Sequence, residues 1–150
     1  MTREPYEPNY RGLVDAVIDF KEGFPNFAPL QVGFDATAFE NVSDGDALYM
    51  RTSDGQVGKA SAADGTVENA QVVGFADADA NANTTVKVIV IGLKTLSGLD
   101  AGDLYFLSPS TAGAITLTPP SSAGQAVVRV GEASTATKFA IRVEPPIKLS

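Results

Sequence analysis

Self-similarity at a spacing of about 56 residues restricts this chain more than any other feature. Gly45-Asp46-Ala47-Leu48-Tyr49 corresponds to Gly102-Asp103-Leu104-Tyr105, with one residue deleted. A turn and a short strand follow in each copy, over 56–60 and 114–118. Gln71-Val72-Val73-Gly74 then matches Val128-Arg129-Val130-Gly131, and each copy closes on an apolar run, 86–91 or 139–143. One such unit is a four-stranded meander with open edges and half a core, so two must pack together to bury a shared apolar face. The spacing predicts an all-β fold: a sandwich or barrel-like domain made of two related four-stranded halves, about 40–92 and 98–145. Both halves belong to one β domain over 23–150, preceded by an extended N-terminal arm and linker over 1–22. Residues 93–101 cross between the halves.

Local patterning agrees from about residue 30 onward. Short apolar or β-branched runs alternate with Gly, Asp, Asn, Ser and Pro clusters, the signature of strands and turns. Candidate strands are 46–52, 57–61, 67–76, 85–92, 103–108, 114–118, 125–131 and 138–143, and any helix is short and lies near 13–20 or in a loop. Phe139, Ile141 and Val143 alternate with Lys138, Ala140 and Arg142, so that strand has one buried and one wet face. Val86, Val88 and Val90 alternate instead with Ile89 and Ile91, which predicts a strand covered on both faces. Asp54-Gly55 supplies the left-handed conformations of a tight hairpin.

The first 29 residues read differently. Pro5 and Pro8 favour an extended path over residues 1–12. Such a stretch is either a frayed terminus or an arm that docks on a partner through Tyr6, Pro8, Tyr10 and Arg11, where Tyr and Arg are residue types that anchor interfaces. Over 13–20, Leu13, Val14, Val17 and Ile18 would share a helix face, while Val14, Ile18 and Phe20 fit one face of a strand, so both forms stay open. Two prolines exclude regular structure from Phe24-Pro25-Asn26-Phe27-Ala28-Pro29. Phe24 and Phe27 either plug the core or pack against a neighbouring subunit, and a symmetric oligomer would hide them.

Composition removes several kinds of chemistry. The chain has no His and no Cys, so Ser-His-Asp and Cys-His arrangements and imidazole or thiolate metal sites are excluded. A net charge of −7, with the eleven Lys and Arg scattered, argues against nucleic acid. No apolar run approaches the roughly 18 residues of a membrane span, and Glu4 and Pro5 stand where a cleaved signal would carry its apolar stretch.

Two motifs imitate sites. Asp77-Ala78-Asp79-Ala80-Asn81-Ala82-Asn83 resembles the opening of a calcium loop, but Ala82 replaces the turn glycine and Val88 stands in the position of the bidentate glutamate. Asp44-Gly45-Asp46 and Asp100-Ala101-Gly102-Asp103 could be paired carboxylates, yet each precedes a strand, where Asp and Gly make turns. No phosphate-binding glycine loop occurs. These readings predict no enzyme, no cofactor and no resident metal.

The second half carries a resemblance. Gly102-Asp103-Leu104-Tyr105-Phe106-Leu107-Ser108, Ala112-Gly113-Ala114-Ile115-Thr116, Pro119-Pro120, Val130-Gly131-Glu132-Ala133 and Ile141-Arg142-Val143-Glu144-Pro145 resemble a β module of tailed bacteriophages. The module is found in capsid decoration (cement) proteins and in some phage fibres. It covers about 45 residues strongly and 40–92 more weakly, and residues 1–40 match no pattern. The resemblance implies a structural virion protein on the outer capsid surface, a homotrimer whose partner is the major capsid protein, joining heads that mature in the host cytoplasm. A receptor- or glycan-binding head-fibre or tail-fibre module is the alternative it implies.

Overall fold

Residues 30–63 and 65–150 are described by the structure, a computed structural model. Over this span the chain forms β1 (Gln31–Thr37), β2 (Ala47–Met50), β3 (Val57–Lys59), a one-turn helix α1 (Val67–Ala70), β4 (Val72–Ala76), β5 (Thr85–Thr95) and β6 (Leu104–Leu107). Then come β7 (Ile115–Thr116), β8 (Ala126–Val127), β9 (Arg129–Thr135), β10 (Lys138–Ile141) and β11 (Ile147–Lys148). One nine-stranded sheet runs β3-β2-β4-β5-β10-β9-β6-β7, with β1 added against β5, and β8 pairs with β11 in a small second sheet. All the ladders are antiparallel. The fold is all-β: a curled antiparallel sheet with a two-stranded companion.

The curl brings the two ends of the sheet into contact. The Ala47 amide donates to the Gly113 carbonyl at 2.8 Å, and the Gly113 amide donates to the Ala60 carbonyl at 2.7 Å. The Ala62 amide donates to the Ser108 carbonyl at 3.1 Å. Backbone groups that would be orphaned at two sheet edges therefore satisfy one another.

Strand order reads as the same four-strand pattern twice, β3-β2-β4-β5 and β7-β6-β9-β10, joined at β5 and β10. The equivalence extends to single hydrogen bonds. The Gly45 amide donates to Ala76 at 2.9 Å, as Gly102 does to Ala133 at 2.7 Å; the Ala76 amide donates to Asp46 at 2.9 Å, as Ala133 does to Asp103 at 3.0 Å. Gly45 and Gly102 hold φ of +89° and +88°, left-handed values that favour glycine in these turns. Equivalent residues are 57 apart (45 to 102, 74 to 131), so the deletion read from the sequence is absent: Leu48 matches Tyr105, and Tyr49 matches Phe106.

The Val-Gly step of each copy has a steric cause. Both β4 and β9 shift register against their neighbours at this point, between Leu48 and Tyr49 and between Tyr105 and Phe106. A Cβ on Gly74 would lie 2.5 Å from the Ile89 carbonyl oxygen, and one on Gly131 would lie 2.1 Å from that of Ala140. Ile89 and Ala140 are themselves equivalent, since each pairs directly with the residue after its glycine.

Two cores result. The main one, between the halves, contains Ala47, Val72, Phe75 and Ile89 from the first and Tyr105, Leu107, Val130, Ala133, Phe139 and Ile141 from the second. Phe139 stands edge-on to Phe75 and Tyr105, with ring centroids 5.5 and 5.9 Å apart. The smaller core lies on the opposite face of the first half, where Leu48, Val57, Ala76, Val86 and Val88 are covered by Phe34, Ala36, Ala38 and Val42. Each fully buried large side chain contributes about 1.5–3 kcal/mol.

Comparing equivalents exposes an inversion. Leu48 and Ala76 face the smaller core, but their counterparts Tyr105 and Ala133 face the main one. The halves thus stack front to back rather than face to face. The change of face occurs within β5, where the ladder with β1 shifts register between Val32 and Gly33, opposite residues 89–91.

Several sequence expectations are corrected. The predicted strand 67–76 is split into α1 and β4, with the Gln71 amide bonded back to the Glu68 carbonyl. β5 extends to Thr95, so only 96–103 turn between the halves. The strand predicted at 125–131 is broken at Val128 into β8 and β9. β1 and β11 were not among the predicted strands. Ile91 is 58% exposed, so the two-sided burial predicted for β5 holds at Val86, Val88 and Ile89 and ends there.

Candidate functional site

The residues singled out for docking, Tyr6, Pro8, Tyr10 and Arg11, and those for subunit contact, Phe24 and Phe27, lie outside the described residues. Within the described span, the polar constellations read from the sequence can be followed atom by atom.

Their centre is Lys94 on β5, only 5% exposed. Its ammonium donates to Asp44 Oδ1 at 2.5 Å and to Asp77 Oδ1 at 3.2 Å. Burial pulls the Lys94 pKa down, but the hydrogen bonds and charges of Asp44 and Asp77 outweigh it, and the net shift is upward. Lys94 is the sole charged residue among the buried ones described, and it clamps the turn before β2 to the end of β4. Sequence reasoning missed it, because a lysine with no neighbouring acid in the chain carries no local signal.

The calcium-like loop is occupied by the protein itself. Asp79 Oδ1 accepts the Asp44 amide at 2.8 Å, and Asn41 Oδ1 accepts the Ala82 amide at 2.9 Å. Asn83 takes φ of +66°, a left-handed value that Asn tolerates, and closes the hairpin. Among the described residues no three acidic side chains converge as a metal site would require.

In the first of the two Asp-Gly motifs, Asp46 also serves its own turn. Asp46 Oδ2 accepts the Ser43 amide at 2.8 Å, fixing the turn. Burial raises the Asp46 pKa, and the Ser43 bond and Lys59 oppose the rise without cancelling it. Asp54 Oδ1 accepts the Gln56 amide at 3.0 Å, and Gly55 holds φ of +73°. The buried Ser108 Oγ accepts the amides of Ser110 and Thr111 at 3.2 and 3.1 Å, which is turn chemistry and not an activated nucleophile.

The described surface includes two clefts near these groups or the sheet junction. One, of about 290 Å³, lies between the 96–99 turn and Gly113–Ile115, with Asp44, Asp46 and Tyr105 on its wall. The other, of about 520 Å³, runs between Val73, Ile91, Val143 and Pro145 and is largely apolar. No protein-family model and no curated protein sequence matches the chain.

Proposed function

We propose that this chain is a structural virion protein that binds the outer surface of a phage capsid and stabilises the shell, acting as a homotrimer on the major capsid protein. The observation that carries the reading is the twice-used strand pattern. Its Gly-Asp turns and Val-Gly steps, the residues on which the likeness to phage decoration modules rests, occupy equivalent backbone positions in both halves. A duplicated four-strand unit accounts for that equivalence. A rigid sheet whose turn carboxylates and hydroxyls are tied to its own amides suits a protein that works by contact.

In this reading the polar N-terminal residues Tyr6, Pro8, Tyr10 and Arg11 bear on the capsid. An extended segment can add to a sheet edge through main-chain hydrogen bonds, and three arms on one trimer bind multivalently. The test mixes purified protein with heads lacking decoration and measures bound copies after sedimentation, for the intact chain and for a chain without residues 1–12. Saturable binding by the intact chain and weakened binding by the truncated one are expected. An intact chain that stays in the supernatant overturns the function, and equal binding by both overturns the role of the arm.

A further inference from the structure

Three strands of the large sheet pair on one side only: β3, β7 and β1. β3 and β7 are three and two residues long, and the segments beside them bond to each other across the curl. β1 runs for seven residues, and its one ladder is with β5. The Ala38 amide donates to the Thr84 carbonyl at 2.9 Å. Ladder bonds alternate along an antiparallel pair, so Ala36 and Phe34 also turn their N–H and C=O groups toward β5. The Lys87 carbonyl accepts the Asp77 amide on the other side of β5, in keeping with that alternation. Gly33, Asp35 and Thr37 therefore direct their backbone groups outward, where no described strand meets them.

That edge lacks the usual protections. It carries no Pro and no Lys, and its bulge lies toward one end, between Val32 and Gly33. Its side chains alternate, with Val32, Phe34 and Ala36 on one face and Gln31, Gly33, Asp35 and Thr37 on the other. Phe34 and Ala36 pack against the smaller core yet stay partly exposed. Val32 and its cross-strand partner Ile91 are 49% and 58% exposed. The smaller core thus ends in an apolar row on an open strand.

We infer that β1 of a second copy of this chain pairs with this edge, antiparallel and about a two-fold axis at Phe34. The strand is complementary to itself in that register: Gln31 meets Thr37, Val32 meets Ala36, Gly33 meets Asp35, and Phe34 meets Phe34. Apolar side chains stand opposite apolar ones on one face, and the polar set shares the other. The outward backbone groups of Gly33 and Asp35 bond to each other, which permits shifts only in steps of two residues. Any such shift shortens the overlap, and one of them sets Asp35 against Asp35, where like charges repel. In the full register each Asp35 keeps Lys87 as its neighbour across β5. The two sheets become one, and the apolar row runs from one smaller core into the other. Being two-fold, the contact is separate from the proposed three-fold one and joins subunits of neighbouring trimers.

Asp35 offers its amide outward, so Asp35→Pro removes an edge donor without removing a bond to β5. Light scattering of the full chain, with no capsid present, compares wild type, Asp35→Asn and Asp35→Pro at micromolar concentration. Wild type and Asp35→Asn are expected at about twice the mass of Asp35→Pro. A wild type no heavier than Asp35→Pro overturns the proposal and leaves the edge to another occupant. The chain has no cysteine, so introduced thiols decide the matter if Asp35→Pro fails to fold. Val32 and Ala36 form a non-hydrogen-bonded pair across the axis, with Cα atoms about 4.5 Å apart, within disulfide reach. A mixture of Val32→Cys and Ala36→Cys proteins is expected to give the mixed disulfide dimer faster than either protein alone gives its own. Equal rates overturn the pairing. Neither readout involves a capsid, so failure here is distinguishable from failure of the proposed function.

Discussion

Replacing Lys94 by methionine removes the ammonium while retaining a stem of similar length. Asp44 and Asp77 are then left near each other without their shared counter-charge. Removing one partner of a fully buried pair costs about 3–5 kcal/mol. The Asp44 side chain is 54% exposed and can recover water, so the structure supports a smaller loss, about 2 kcal/mol. For a chain of this size that lowers Tm by about 4–8 °C. The pH dependence has a definite sign. The folded pKa of Lys94 lies above its unfolded value of about 10.4, so the stabilisation is complete below that value and is lost as pH rises through the folded pKa. Urea titrations of wild type and Lys94→Met, at pH 7 and in steps above pH 10, measure both effects. The gap between the two proteins should narrow at high pH. The triple variant Lys94→Met, Asp44→Asn, Asp77→Asn should regain part of the loss, because it leaves no uncompensated charge. Equal stability of Lys94→Met and wild type at pH 7 would refute the clamp.

Other perturbations test the packing and the turns. Phe139→Ala empties the centre of the main core and should cost about 3–5 kcal/mol in chemical denaturation; a loss under about 1 kcal/mol would mean the site collapses freely. Gly131→Ala drives a Cβ into the Ala140 carbonyl and should lose at least about 2 kcal/mol, clearly more than Gly55→Ala, where no atom lies within 4 Å and only the positive φ opposes the change. Asp46→Asn removes an ionisation that burial disfavours. Because the folded pKa is raised, wild type bears that cost above it and sheds it below. The variant should therefore compare more favourably with wild type at pH 7 than at pH 3, and the reverse order in urea titrations would show that the charge itself holds the turn.

The strands were legible where alternation is strict, as at Phe139 and Ile141, because one face is buried and the other wet. The repeat was legible because Gly-Asp and Val-Gly are required by backbone conformation and close approach, which partner choice does not alter. Its alignment was off by one at Tyr49, where matching tyrosine to tyrosine looked better than matching it to Phe106. The inversion of faces was invisible, since a period of two reads the same from either side of a strand. β1 escaped because Gln31, Gly33, Asp35 and Thr37 dilute its apolar row, and only its packing over the smaller core gives it a role. The Lys94 clamp joins residues 50 and 17 positions apart, a separation no local pattern can report. The docking and subunit residues proposed before residue 30 rest on residue type alone.

Under the proposed function, this chain binds the outside of a phage shell. Cryo-electron microscopy of heads lacking decoration, imaged before and after addition of the purified protein, tests this. New density is expected on the outer surface at regular positions of the lattice, into which the curled sheet fits as three copies around an axis. A shell unchanged by the protein, or density confined to a tail appendage, would contradict it.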